Sequence, residues 1–338
     1  LKAFLLRIMS EAARCNEGVS ERIVRTVAVQ RVERRMLDGA DLSGYMWCNT
    51  NNHRDTVQYL KLEEQGGNWY TKILEETRME KWASALAHVC GDRLKDAQTL
   101  TINVKQQHQY FRPAAQLAMV GARASSLLRE EAEDLAAELE ASSDKMLMPP
   151  PRGWFVRTSA CSPKDAFHDG GAGPHHSIVE AMLALFASDR IHKSMKDYSK
   201  DAIVYLMPFD ATVTTERELR VFVHEGRVTA MSQYDVFNPS VFTSMDDAQL
   251  AEVACAVNAF HRDLILPPWE AVGGISSYVM DVEYIADNPD SKGQQVRLVE
   301  LNSFGAELAA GSALFHWVRD SSELYSADRL CIRTLLAE

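Results

Sequence analysis

The stretch "VRLVELNSFGAE" (296–307) opens as an apolar strand. It then places a carboxylate and a carboxamide two residues apart, Glu300 and Asn302, ahead of a glycine. Successive strand side chains alternate sides, so these two project together. A second carboxylate, Asp281, stands in the middle of another apolar strand, "YVMDVEY". A hairpin of the two strands across the turn-rich "ADNPDSKG" brings Asp281 beside Glu300, with Asn302 on the same side. Buried carboxylates are costly unless a cation or hydrogen-bond donors hold them. Two carboxylates and an amide oxygen form an all-oxygen set, which suits Mg²⁺ or Mn²⁺ better than zinc. The alternative is that both acids pair with arginines on an exposed sheet face, and spacing leaves the two readings open.

Cations lie upstream at strand positions: Arg157 in "WFVRTS" and Arg220 in "ELRVFV", with Lys164 in a turn between them. The guanidinium fork matches phosphate oxygens. A strand arginine by itself is ordinarily a salt-bridge or surface residue. Strand arginines followed by an oxygen-ligand set are what a nucleoside triphosphate needs, cations on the phosphates and a metal bridging them. Alternation puts Arg220 on one face with Glu218 and Phe222, which makes Glu218 the expected holder of the guanidinium. The glycine-rich "DGGAGPHH" (169–176) reads as a connector, with His175 and His176 in solvent.

These residues must be positioned by a chain of 338 residues, 46% hydrophobic and 25% charged, ample for a buried core. No apolar run is long enough for a membrane helix. A net charge of −11 argues against a general nucleic-acid binder and suits a basic protein partner. The six cysteines lack zinc-like spacing and are expected to be free thiols in a reducing compartment. No intact targeting signal is read in "LKAFLLRIMSEAARC". A cytoplasmic protein is expected, or an organellar one if a chain beginning at Leu1 is a processed product.

Residues 1–125 read as a mostly helical N-terminal extension and 126–338 as the domain that carries the chemistry. Apolar residues fall at helical spacing in "VSERIVRTVAVQRVERRML" (19–37) and "TKILEETRMEKWASALAHVC" (71–90). "SSLLREEAEDLAAELEAS" (125–142) is an acidic amphipathic helix whose glutamates form a solvated face. The prolines 149–151 break the pattern, and strands with turns follow. "GWFVRTSA" and "AIVYLMPF" read as strands, and "RELRVFVHEGRVTAMSQYDV" as a hairpin turning at Glu225-Gly226. The order is α+β with antiparallel hairpins.

"SPKDAF" after a basic strand, "ALFASDRI", "ELRVFVHEGRVTAMSQYD", "YVMDVEY" and "VELNSFG" followed by "ALFHW" resemble, in order and spacing, the cell division cycle protein 123 (D123) family of ATP-grasp proteins. The resemblance spans roughly residues 128–320 and implies two α+β lobes holding ATP and Mg²⁺ between them. Carried over by position, Arg157 replaces a phosphate-contacting lysine, and Tyr205, Leu206 and Met207 match the hinge whose backbone meets adenine. Glu218 and Arg220 match the "E-x-R" strand, with Arg220 as the catalytic candidate facing the phosphates. Gln233 and Asp235 match the end of that hairpin, and Asp281, Glu300 and Asn302 match the metal set. This sequence departs from the family where its metal strand begins with Glu rather than Asp, and where alanine follows the glycine.

The resemblance implies the family's role, that of a chaperone joining the alpha and gamma subunits of eukaryotic translation initiation factor 2 in an ATP-dependent manner, with the gamma subunit as the partner. Two other classes suit the same residues. One is an ATP-dependent ligase that activates a carboxylate as an acyl phosphate. The other is a degenerate ATP-grasp protein kept as a structural subunit of a larger assembly.

Overall fold

The computed structural model describes residues 13–15, 25–33, 74–119, 126–143, 147–166, 173–195, 198–285, 295–305, 310–326 and 328–337. Its strands, in chain order, are β1 (Ala13–Cys15), β2 (Arg25–Val32), β3 (Gln98–Ile102), β4 (Trp154–Thr158) and β5 (Ala202–Pro208). They continue with β6 (Glu218–His224), β7 (Arg227–Gln233), β8 (Tyr278–Tyr284), β9 (Val296–Ser303) and β10 (Leu330–Leu335). Four helices matter below: α1 (Met79–Leu86), α2 (Ser126–Ser142), α3 (Ile178–Ala187) and α4 (Asp247–Phe260). The α+β class read from the sequence is the one observed.

The chain divides into two units, Leu1–Cys90 with Val213–Glu338, and Gly91–Thr212. The first is built on a seven-stranded sheet in the order β1-β2-β10-β7-β6-β8-β9. Its centre is the expected hairpin of β6 and β7, turning at Glu225 and Gly226, whose φ values of 49° and 74° are both left-handed. Two such residues in a two-residue loop make a turn whose twist matches the strands. β8 pairs antiparallel with β6 and with β9, so the second expected hairpin is also formed. Leu219, Val221, Met280, Val282, Leu298 and Ile332 are buried. α4 starts at a capping box in which Asp246 and Gln249 satisfy each other's backbone amides.

The N-terminal segment read as helical over 19–37 is corrected here: residues 25–32 are strand β2, between β1 and β10. Val27, Val29 and Val32 are buried, and β-branched residues in a short apolar run serve a strand as well as a helix. Parallel pairing with β10, 303 positions later in the chain, decides the matter. Residues 74–76, 79–89 and 126–142 are helical as expected. Residues 1–125 thus contribute β2 to one sheet and β3 to the other, across the expected limit at 125/126.

The second unit has a three-stranded sheet, β3-β5-β4, with β5 in the middle. α2 buries Leu128, Ala132, Leu135, Ala136 and Leu139, a stripe at helical spacing, in one cluster with Ala181, Met182 and Leu185 of α3. The acidic face of α2 is turned to water, and Glu138 accepts hydrogen bonds from Tyr110 Oη (2.6 Å) and Gln106 Nε2 (3.1 Å). His175, expected in solvent, is buried, because its backbone pairs with Trp154 at the start of β4. Residues 167–172, including the first half of the glycine-rich stretch, lie outside the described residues.

Cys90, Cys161 and Cys331 are free thiols, as expected, and burial pushes Cys331 up to about 12. Cys255 is disulfide-bonded, a correction to the reading of all six as free. Scattered spacing carries no information about which cysteines meet in space. No helix among the described residues is long and apolar enough to cross a membrane.

Two expected outcomes follow from these packings. A chain beginning at residue 126 loses β2 and β3, leaving β10 as an open edge and the smaller sheet with two strands. It is expected to be insoluble or to lack a cooperative unfolding transition by circular dichroism. A soluble, sharply melting fragment would return residues 1–125 to the role of a dispensable extension.

The second concerns His261, buried after α4 and bonded through Nε2 to Tyr278 Oη at 2.8 Å. Burial lowers its pKa from 6.5 to about 4. The folded state therefore holds the neutral ring while the unfolded chain takes up the proton first, so stability falls as pH drops from 6.5 towards 4. The loss approaches about 3 kcal/mol from this one group. Urea midpoints of wild type and His261→Gln across that range should converge at low pH; parallel curves would remove His261 as the cause.

Candidate functional site

One row of side chains crosses six strands of the larger sheet. Strand register sets Gln30 of β2 beside Arg333 of β10, Arg333 beside Ser232 of β7, and Ser232 beside Arg220 of β6. Arg220 in turn faces Asp281 of β8, which faces Glu300 of β9. Registered neighbours share a face, so these polar groups form a continuous line on one side of the sheet. Apolar alternation would bury that side as well, and Phe222, Val279 and Phe304 do so further along, in a cluster with Phe315 and Trp317. The polar line is what interrupts it.

At its centre Arg220 and Asp281 form a two-pronged pair. Nε donates to Oδ1 at 2.9 Å and Nη2 to Oδ2 at 2.8 Å, while Nη1 donates to the Gly311 carbonyl at 2.8 Å. Both residues are buried. The guanidinium also lies over the Tyr234 ring, 5.0 Å from its centroid. Burial works against the Arg220 charge. The charge and hydrogen bonds of Asp281 more than offset it, helped by Tyr234 and Glu300, and raise the guanidinium above its ordinary value. Asp281, and not Glu218 on the same strand, therefore holds the fork. Cross-strand partners sit about 5 Å apart, whereas residues two apart on one strand are separated by two residue rises, about 6.7 Å.

Asn302 joins the two acids. Its Nδ2 donates to Asp281 Oδ2 at 3.1 Å and to Glu300 Oε1 at 3.2 Å. Asp281, Glu300 and Asn302 thus converge within hydrogen-bond distance, with Glu300 and Asn302 half-buried. Two carboxylates and an amide that can turn its oxygen inward fit Mg²⁺, which takes one or two carboxylates and completes its shell with phosphate and water. Both sequence alternatives are present in part: the acids adjoin each other, and one of them is paired with an arginine, but in the core rather than on an exposed face.

The other candidates fall elsewhere. Glu218 is buried two residues before Arg220, opposite Glu283, whose Oε2 accepts from both Nε and Nη2 of Arg297. Gln233 is a hub of the turn after β7. Its Nε2 donates to the carbonyls of Asp235 (2.5 Å) and Asn238 (3.1 Å), and its Oε1 accepts from Ser240 Oγ (3.2 Å) and the Leu335 amide (2.8 Å). Asp235 accepts from the amides of Phe237 and Asn238 in the same turn. Arg157, Tyr205, Leu206 and Met207 belong to the smaller unit. There Arg157 of β4 is registered directly opposite Tyr205 of β5. β3 begins opposite Leu206, so Met207 and Pro208 pair with β4 alone among the described strands.

Sequence reasoning missed Ser232, Arg333 and Gln30. The signal was present in "CIRTLL", a lone arginine inside an apolar strand like the lone aspartate of "YVMDVEY".

The sequence model of the D123 family matches residues 176–330. The CDC123-like protein L884 of Acanthamoeba polyphaga mimivirus is 28% identical over 174 residues, 49% of this chain and 50% of that protein. The chain thus spans about half the length of the curated relative it matches. The structure of Cdc123 from Schizosaccharomyces pombe is similar with a TM-score of 0.51 at 16% identity, covering 79% of this chain and 98% of that one. Its C-terminally truncated form gives 0.51 at 14% identity with the same coverage. At these identities the likeness to the solved structures is one of fold. Residues 176–330 match the D123 family model, and the α+β fold is similar to that of Cdc123. Arg220, Asp281, Glu300 and Asn302 lie inside the matched segment, whereas Gln30, Arg157 and Arg333 lie outside it.

Breaking the central pair strands a charge in the core. Arg220→Ala is expected to lower unfolding free energy by about 3–5 kcal/mol, since Asp281 is left buried without its cation. Arg220→Ala with Asp281→Ala should recover part of that loss. Urea denaturation measures both; a fall below about 1 kcal/mol for the single change would place the pair in water.

Proposed function

We propose that the larger unit binds ATP with Mg²⁺ at the Arg220–Asp281–Glu300–Asn302 end of the polar row. The observation that carries this reading is the convergence of two carboxylates and an amide beside a buried arginine fork. Asp281, Glu300 and Asn302 would hold the ion, which when bound neutralises phosphate charge. Arg220, fixed by Asp281, offers its guanidinium edge to phosphate oxygens. In the smaller unit Arg157 is the proposed second phosphate contact. The end of β5, where Met207 has a strand partner on one side, offers backbone groups to adenine.

On this reading the biological role is the one the family resemblance implies, ATP-dependent assembly of translation initiation factor 2 through its gamma subunit, in the cytoplasm. The net charge of −11 suits a basic protein partner. A ligase is the second reading, favoured by the Glu300-x-Asn302 pattern, which is similar to metal strands of catalytic ATP-grasp enzymes. Release of ADP in the presence of candidate carboxylic acids separates the two.

Calorimetry of ATP binding in magnesium and in EDTA tests the site itself. Binding is expected to depend on magnesium, and Glu300→Ala to weaken it by about tenfold to a hundredfold, the worth of one charge-assisted contact. Glu300 is the better position to change because it is half-buried and does not carry the Arg220 pair. Equal affinity in EDTA and magnesium would remove the metal from the site, and unchanged affinity in the variant would remove Glu300.

A further inference from the structure

Three members of the polar row reach the same segment, residues 310–316, from three adjacent strands. Arg220 Nη1 donates to the Gly311 carbonyl at 2.8 Å. The Leu314 amide donates to Ser232 Oγ at 3.1 Å, and Arg333 Nη1 donates to the Leu314 carbonyl at 3.0 Å. The Arg333 guanidinium lies over the Phe315 ring, 3.9 Å from its centroid. Its other donors reach Gln30 Oε1 at 2.9 and 2.6 Å and Asp320 at 2.8 and 3.2 Å. The backbone between these anchors is strained: Ala313 has φ 49°. A left-handed alanine is unfavourable and persists only when its surroundings over-determine it. Both polar backbone groups of the next residue, Leu314, are held by the row.

We infer that Arg333 is a positioning residue for the nucleotide site. Arg333 holds Leu314 and Phe315, the held segment presents the Gly311 carbonyl, and that carbonyl takes the one nitrogen of Arg220 that Asp281 does not. Without it the guanidinium, held by Asp281 along one edge only, can tilt about that edge, and the part offered to a phosphate is less firmly placed. Lysine at 333 keeps the charge but cannot serve Gln30, Leu314 and Asp320 together. The ligand in this inference rests on the reading proposed above, whereas the coupling of Arg333 to Arg220 is a property of the chain alone.

Double-mutant cycles on the full chain test it, using Arg333→Lys, Arg220→Lys and the pair. Each cycle is read both in urea stability and in calorimetric affinity for ATP with magnesium. Sites separated by a strand and sharing no partner have effects that multiply within about twofold. Here the folding equilibrium is expected to deviate by more than about threefold from the product. Arg333→Lys is expected to weaken ATP by about five- to tenfold in wild type and by less than about twofold once Arg220 is lysine, which a merely structural role would not produce. Independent effects in the stability cycle overturn the inference whether or not nucleotide binds. Coupled stability with unchanged ATP affinity of Arg333→Lys overturns the positioning role and leaves the nucleotide reading intact. Coupled stability in a wild type that binds no ATP overturns both the nucleotide reading and the role assigned to Arg333 in it. If Arg333→Lys does not fold, Phe315→Leu, which removes the ring beneath the guanidinium, takes its place in the cycles.

Discussion

Burying the Arg220 guanidinium against Asp281 in the middle of a seven-stranded sheet imposes conditions on everything around it. Two desolvated charges are tolerated only when their geometry is good and their remaining hydrogen-bonding capacity is used. The antiparallel register of β6 and β8 supplies the geometry, placing the fork and the carboxylate directly across from each other. Asn302 and the Gly311 carbonyl take up further capacity on either side. A hydrophobic pair of similar volume often serves a fold as well as a buried ion pair does.

The register that seats this pair also extends it. The chain of neighbours from Gln30 to Glu300 depends on β2 and β10 running parallel beside β7, so residues near both ends of the sequence complete a row whose centre lies in the D123-matched segment. On the same face the segment after β9 folds back over the sheet. Its apolar residues Phe315 and Trp317 cover Phe222, and its backbone is tied to the polar row. The aromatic cluster and the polar line thus share one covering segment, which makes packing at one end of the face sensitive to charge placement at the other.

Much of the site was legible because strand chemistry is local. Alternation in "ELRVFV", "YVMDVEY" and "VRLVELN", with Glu225-Gly226 as a hairpin turn, is enough to put Arg220, Asp281, Glu300 and Asn302 on one face and two of the strands side by side. The partner of Arg220 was not legible. Glu218 on the same strand was the nearest acid in sequence, yet which strand lies next to β6 on its far side is a matter of topology. The role of Gln233 was hidden for the same reason, since its oxygen accepts from Leu335, 102 positions away.

By itself the sequence determined the α+β class, the two hairpins, the helices at 79–86 and 126–142 and the placing of Asp281, Glu300 and Asn302 side by side, all of which rest on contacts between near neighbours in the chain. Tertiary structure alone decided that residues 25–32 are a strand, because a run containing Val27, Val29 and Val32 suits either period until β10 arrives to pair with it. It also decided that Arg333 and Gln30 belong to the row, and that Cys255 is disulfide-bonded. These are long-range pairings, and periodicity reports which face a side chain takes but not which strand will lie beside it.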